Sequence, residues 1–327
     1  MSEALLDHAT RTIEAGSKSF AAAARLFAPD VRRSVLMLYA WCRHCDDVVD
    51  GQELGFAAGA QRRHDPAREL ARLEEQTRRA YAGEALGEPA FAAFQEAALR
   101  HAIPQRFAFD HLAGFAMDVE GARYETIDDT LRYCYHVAGV VGLMMASIMG
   151  AQDAEVLDRA CDLGLAFQLT NIARDIIEDA GAGRCYLPAQ WLREAGIPPD
   201  EIAQPRHRWA LAKLAARLVE HAEPYYDSAL AGIAALPLRS AWAIATARHV
   251  YRQIGIEVRR RGPWAWDRRV STSRAAKLAL LAKGSLTALG SRAARRPAAQ
   301  RVRPPQLWQR PGRVPAADHR AAPAVAA

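Results

Sequence analysis

Polar and apolar positions in this chain recur at helical spacing along most of its length. The pattern predicts helices over residues 2–28, 31–49, 67–82, 89–101, 107–120, 130–150, 168–179, 206–236 and 238–261, with a weaker one over 271–289. Turns containing Pro or Gly separate them, and residues 51–66 read as a loop. No period-two alternation runs far enough to predict a strand, so the expected fold class is all-α, a helical bundle. The longest apolar run, residues 137–151, is shorter than the ~20 residues a membrane span requires and reads as a buried core helix.

Two of these helices carry polar stripes that an ordinary surface helix does not need. In QLTNIARDIIED, Gln168, Asn171, Asp175 and Asp179 fall within about a quarter turn at ~100° per residue. Leu165, Leu169, Ile172, Ile176 and Ile177 make most of the remaining circumference apolar, the mark of a helix set inside a core. In LYAWCRHCDDVVD, Tyr39, Arg43, Asp46 and Asp50 repeat the arrangement at i, i+4, i+7 and i+11. Buried carboxylates cost several kcal/mol each unless paired or protonated, so both stripes call for cations. Arg43 and Arg174 supply one on each helix. All-oxygen donors from Asp and Asn also suit a hard ion such as Mg2+, which binds through one or two carboxylates together with substrate phosphate. Either stripe alone is also what two plain charged helix faces would show. Both together predict two helices facing each other across a cavity that holds metal-bound diphosphate.

Charge and cysteine content narrow the class. The formal net charge is +6, but residues 291–327 hold eight Arg and one Asp, which leaves the rest of the chain at −1. The basic character therefore belongs to the end of the chain and gives no reason to expect nucleic-acid binding by the folded body. Five cysteines form an odd set without framework spacing, as expected of a reducing cytoplasm. Cys42 and Cys45 form a lone CxxC without a second pair. The first sixteen residues are charged and lack the apolar stretch of a secretory leader.

Weaker signals fill in the picture. In GSKSF, Ser17, Lys18 and Ser19 are candidate phosphate contacts, a weak signal by itself because the serines also read as plain helix caps. GRCYLP reads as a loop over the polar end of the site, with Arg184 and Tyr186 as candidate diphosphate contacts. Tyr251 faces either the cavity or the core. Gly139 and Gly142, each costing ~1 kcal/mol in a helix interior, serve either close helix packing or room for a long apolar ligand. Residues 291–327, rich in Arg, Pro and Ala, are expected to be disordered. Their arginines and Trp308 suit either a solubilising tail or attraction to anionic lipid.

GSKSF, LYAWCRHCDDVVD, YCYHVAGVVG, QLTNIARDIIED and GRCYLP, in this order, resemble the squalene/phytoene synthase family, and within it the bacterial phytoene synthases. The resemblance implies an all-α isoprenoid (terpenoid) synthase fold around a central cavity, formed by residues 1–290. It implies a prenyltransferase of carotenoid biosynthesis that joins two geranylgeranyl diphosphates head to head, through prephytoene diphosphate, into phytoene and two diphosphates. Two or three Mg2+ or Mn2+ ions are implied, with Asp46 and Asp50 as one metal-binding pair and Asn171, Asp175 and Asp179 as the second set. Tyr39, Arg43, Gln168, Arg174, Tyr251, Ser17, Lys18 and Ser19 match substrate-contacting positions, while Gly16 stands where many relatives carry His or Asn. The expected setting is cytoplasmic, peripheral at the inner face of the cell membrane, beside other enzymes of carotenoid synthesis. Spacing leaves substrate length open, and a synthase joining two farnesyl diphosphates satisfies it too. A non-catalytic homologue would be expected to have lost acidic residues, and both sets are intact.

Overall fold

A single long helix, α9 (Ala154–Gly181), is the post against which several helices from residues 127–148 and 208–261 pack. Asp153 caps it, its side chain accepting from the backbone N–H groups of Glu155 and Val156. Thirteen of its residues are buried, as its nearly all-round apolar sequence requires. The computed structural model describes residues 2–16, 18–53, 56–57, 65–293 and 302–313.

The N-terminal half comprises α1 (Ser2–Gly16), α2 (Lys18–Ala24), α3 (Pro29–Asp50), α4 (Pro66–Tyr81), α5 (Pro89–Arg100) and α6 (Gln105–Val119). Helix α3 opens on proline, whose missing N–H costs nothing in a first turn, and stops at Gly51, which adopts the left-handed conformation at φ +63°. It packs on α1, α4 and α5, with Trp41 stacked on Phe94 at 4.1 Å. Next come α7 (Ile127–Cys134), one π-helical turn (Tyr135–Gly139) and α8 (Val140–Ile148). After α9 the chain runs through α10 (Ala189–Glu194), α11 (Arg208–Ile233), α12 (Leu238–Arg261) and α13 (Arg274–Ala293). Strand pairing among the described residues is confined to Gln52–Glu53 against Phe56–Ala57. The fold is all-α, as expected.

The glycines of the apolar run serve close packing. A Cβ on Gly142 would lie 2.4 Å from the Ala160 carbonyl oxygen, and one on Gly164 would lie 2.3 Å from that of Ala138. Backbone therefore meets backbone where α8 and the π turn cross α9. Helix Ile127–Ile148 is long and apolar enough to cross a membrane, but 61% of its apolar window is buried inside the protein. Among the departures from the sequence pattern are the π turn, α10, and the start of α9 at Ala154, well before the predicted residue 168.

The end of the chain departs more. Residues 302–313 are not loose. Leu307 is buried in the core, and Trp308 lies against Tyr135 at 5.7 Å and donates its backbone N–H to the Tyr225 hydroxyl. Arg303 grips Asp162 through two bonds of 2.9 and 2.6 Å, and Arg310 donates to Asp158 at 2.7 Å. The expectation of disorder fails here because α9 buries two carboxylates, Asp158 and Asp162, which need cations. These arginines and Trp308 are thus taken up within the protein and are not presented to lipid. Residues 294–301 and 314–327 lie outside the described residues.

Candidate active site

Both acidic stripes open into one cavity of about 1160 Å3, larger than the usual ~300–1,000 Å3 of a small-ligand site. Helix α3 contributes Tyr39, Arg43 and Asp46 to its wall, and α9 contributes Gln168, Asn171, Arg174, Asp175 and Asp179. Arg184, Tyr186 and Tyr251 also line it, as do Phe20, Phe115 and Phe167. The two rows that the sequence placed opposite each other do share one chamber.

Three of the acids, Asp46, Asp50 and Asp175, already have a guanidinium. Arg43 bridges Asp46 and Asp47 at 2.9 and 2.8 Å, and Arg174 forks onto its neighbour Asp175, with Nε to Oδ1 at 2.8 Å. Arg184, from the loop after α9, binds both oxygens of Asp50 and ties that loop to the end of α3. Asp50 therefore sits at the rim, held by Arg184, and is not part of the cavity wall. Arg269 reaches Asp175 and Glu178, both at 3.2 Å.

Burial pushes the Asp46 carboxyl up to about 6, the effect of Arg43 being partly offset by Asp50 and Asp47. Burial, together with Asp175 and Glu178, pushes Asp179 up to about 7. Burial likewise raises the Tyr39 phenol to about 12. Asp118, at the end of α6, is pushed to about 6 by burial although Tyr133 and Tyr186 each donate to it at 3.1 Å. The Tyr186 hydroxyl is thus spent on supporting Asp118 from within the protein.

Among the buried polar atoms of cavity-lining residues that lack a hydrogen-bond partner are Asn171 Oδ1 and Arg43 Nε. The Asn171 amide nitrogen donates to Gln168 at 3.3 Å, which leaves its oxygen toward the chamber with nothing to accept. A bare carbonyl oxygen between carboxylates is a donor set of the hard, all-oxygen kind that Mg2+ or Mn2+ takes. Asp46, Asn171, Asp175 and Asp179 therefore fit such an ion in chemistry. Among the described residues, no three His, Cys, Asp or Glu side chains already converge as ligands.

Below the charged end the wall turns apolar. Tyr251 stacks on Phe167 at 4.2 Å, and Phe20 on Tyr39 at 5.6 Å. A Cβ on Gly16 would lie 2.5 Å from the Tyr39 hydroxyl, so glycine there makes room for this tyrosine. Ser17 and the side chains of Lys18 and Ser19 lie outside the described residues. Sequence reasoning missed Asp118, Arg269 and Glu178. Glu178 stands inside the second motif next to its stripe. Asp118 and Arg269 come from a helix end and a connection, where no periodic stripe singles them out.

Residues 13–276 match the family described as squalene/phytoene synthase. The chain is 62% identical over 307 residues to the 15-cis-phytoene synthase of Pantoea ananas, covering 94% of this chain and 98% of that one. It is 51% identical to the 15-cis-phytoene synthase of a Paracoccus species, over 86% of this chain and 91% of the relative. A crystal structure of a dehydrosqualene synthase in complex with ligand superposes with a TM-score of 0.77 at 28% identity, covering 86% of this chain and 96% of the other.

Proposed function

Since the chain belongs to the squalene/phytoene synthase family, we propose that it is a phytoene synthase, joining two geranylgeranyl diphosphates head to head through prephytoene diphosphate, with loss of two diphosphates. The observation that carries this reading is the shared chamber, acidic and basic at one end and mostly apolar beyond it. Ionising an allylic diphosphate demands that the departing charge be met where it develops. Arg43, Arg174, Arg184 and Arg269 stand at that end, each already paired with a carboxylate and so fixed in place. Asp46, Asn171, Asp175 and Asp179 would hold Mg2+ or Mn2+, with Asp50 a further candidate donor if Arg184 turned to diphosphate. When bound, such ions supply Lewis-acid neutralisation of the leaving group.

The carbocation left behind must be kept from water and offered electron density. Tyr39, Phe20, Phe167 and Tyr251 provide aromatic faces at the junction of the polar and apolar parts, each worth up to ~2 kcal/mol when desolvated. Phenols held neutral by burial are poor nucleophiles toward such a cation, as expected for Tyr39.

The setting we favour is cytoplasmic and peripheral at an anionic membrane surface, among other enzymes of carotenoid synthesis. Helix α13 supports this: it contains no acid, it exposes Leu278, Leu286 and Leu289, and its Lys277 lines the cavity. Purified protein, incubated with Mg2+ and either geranylgeranyl or farnesyl diphosphate, tests the function. Phytoene from the first, abolished by chelation and restored by Mg2+ or Mn2+, is the expected result. A thirty-carbon product made in preference, or no hydrocarbon at all, would overturn it.

A further inference from the structure

The cavity has a far end, and a charged residue stands there. Arg159 lies sixteen positions before Asp175 on α9, so its backbone is about 24 Å down the helix axis from the acidic end. It lines the same chamber among Met149, Val156 and Leu236 and is only 3% exposed. Its stem packs on Gly232, where a Cβ would come within 2.6 Å of the Arg159 Cβ. Its Nη1 donates to Ser228 Oγ at 2.8 Å, Ser228 in turn donates to Asp162, and Asp162 is clasped by Arg303 of the C-terminal segment. A buried cation so tethered cannot be pushed aside by a hydrocarbon without breaking a hydrogen bond to a buried group.

The length fits one substrate. An extended chain advances ~3.5 Å per three bonds, so a four-bond isoprene unit spans about 4.7 Å and four of them about 19 Å. Laid along α9, a twenty-carbon chain leaves about 5 Å of the 24 Å for carboxylate and diphosphate at the acidic end. A twenty-five-carbon chain would consume nearly the whole distance, and a fifteen-carbon chain would stop one unit short.

On the reading that the protein is a phytoene synthase, we propose that Arg159 is the specificity-determining end stop that measures the prenyl chain. In this assignment Arg303, acting through Asp162 and Ser228, is a positioning residue that holds the stop in place. The C-terminal segment thus reaches the chemistry from outside the cavity.

The test compares kcat/KM for fifteen-, twenty- and twenty-five-carbon prenyl diphosphates in the full-length protein and in Arg159→Ala, Arg159→Leu, Arg159→Lys and Arg303→Leu. Arg159→Ala is expected to raise the C25-to-C20 ratio by at least ~tenfold, since even one methylene in a fitted pocket is worth about that much. Arg159→Leu keeps the stem on Gly232 and is expected to move the ratio the same way. Arg159→Lys should stay near the wild-type ratio, and Arg303→Leu should shift it less than Arg159→Ala does. A purely structural role would lower all three substrates together and leave the ratio unmoved, and that outcome overturns the proposal. So does a failure of both Arg159→Ala and Arg159→Leu to fold. If the wild-type protein makes no hydrocarbon from the twenty-carbon diphosphate, the phytoene synthase reading itself fails.

Discussion

Replacing Arg303 with Ala removes a buried guanidinium that makes four hydrogen bonds: two to Asp162 and one each to the carbonyls of Leu307 and Trp308. Asp162 is 0% exposed, and its remaining donor is Ser228. Taking one partner from a buried ion pair costs about 3–5 kcal/mol, because the other charge is left desolvated. Leu307 and Trp308 add apolar area that leaves the core if the segment lifts away. For a chain of this size each kcal/mol moves the melting temperature by roughly 2 °C, so Arg303→Ala should melt about 6–10 °C lower. Differential scanning calorimetry and urea titration measure this directly. The double variant Arg303→Met/Asp162→Leu, which replaces the pair by apolar groups of similar volume, should recover most of the loss. A drop under about 1 °C for Arg303→Ala, or no recovery in the double variant, would refute the buried pair as what anchors the segment.

Other consequences are open to test. His111 is buried against Trp41 and Phe115, with Nδ1 3.1 Å from the His136 carbonyl, and burial lowers it from 6.5 to about 4. The unfolded chain binds a proton there first, so stability is full above pH 6.5 and falls as pH drops toward 4, by about 2 kcal/mol at pH 5. His111→Asn, which keeps a donor for the carbonyl, should lose that much less between pH 7 and pH 5 in urea melts. Gly164→Ala drives a Cβ into the Ala138 backbone and should cost at least about 2 kcal/mol, whereas a cost under 0.5 kcal/mol would contradict the helix contact. Vesicles containing anionic lipid should retain the protein in flotation assays, and Leu278→Ser/Leu286→Ser/Leu289→Ser should weaken retention at least ~tenfold. Equal retention by the triple variant would remove α13 as the docking face.

The acidic stripes were legible because their signal is local: carboxylates at i, i+4 on a helix otherwise apolar allow few interpretations. Their spacing alone predicts Asp46 and Asp175 on facing helices, and both line one cavity. Asp158 and Asp162 carry the same i, i+4 signal on the same helix and passed unread. Their cations, Arg310 and Arg303, lie at the far end of the chain in a stretch whose Pro and Arg content reads as disorder. Composition weighs what a segment can bury by itself, and this segment instead answers a charge buried elsewhere. The role of Gly139 and Gly142 was open for a similar reason, since close contact between helices leaves no mark on periodicity. The grip of Arg184 on Asp50 likewise joins two turns that no local pattern relates.

In the proposed reaction the α3 and α9 carboxylates act together on one departing diphosphate. Diphosphate release from geranylgeranyl diphosphate, measured for Asp46→Asn and Asp175→Asn with circular dichroism confirming the fold, tests it most directly. Each single variant is predicted to lose release by at least ~1,000-fold, close to what the double variant loses, because the two rows work as a unit. Either variant retaining near wild-type release while folded would contradict the account.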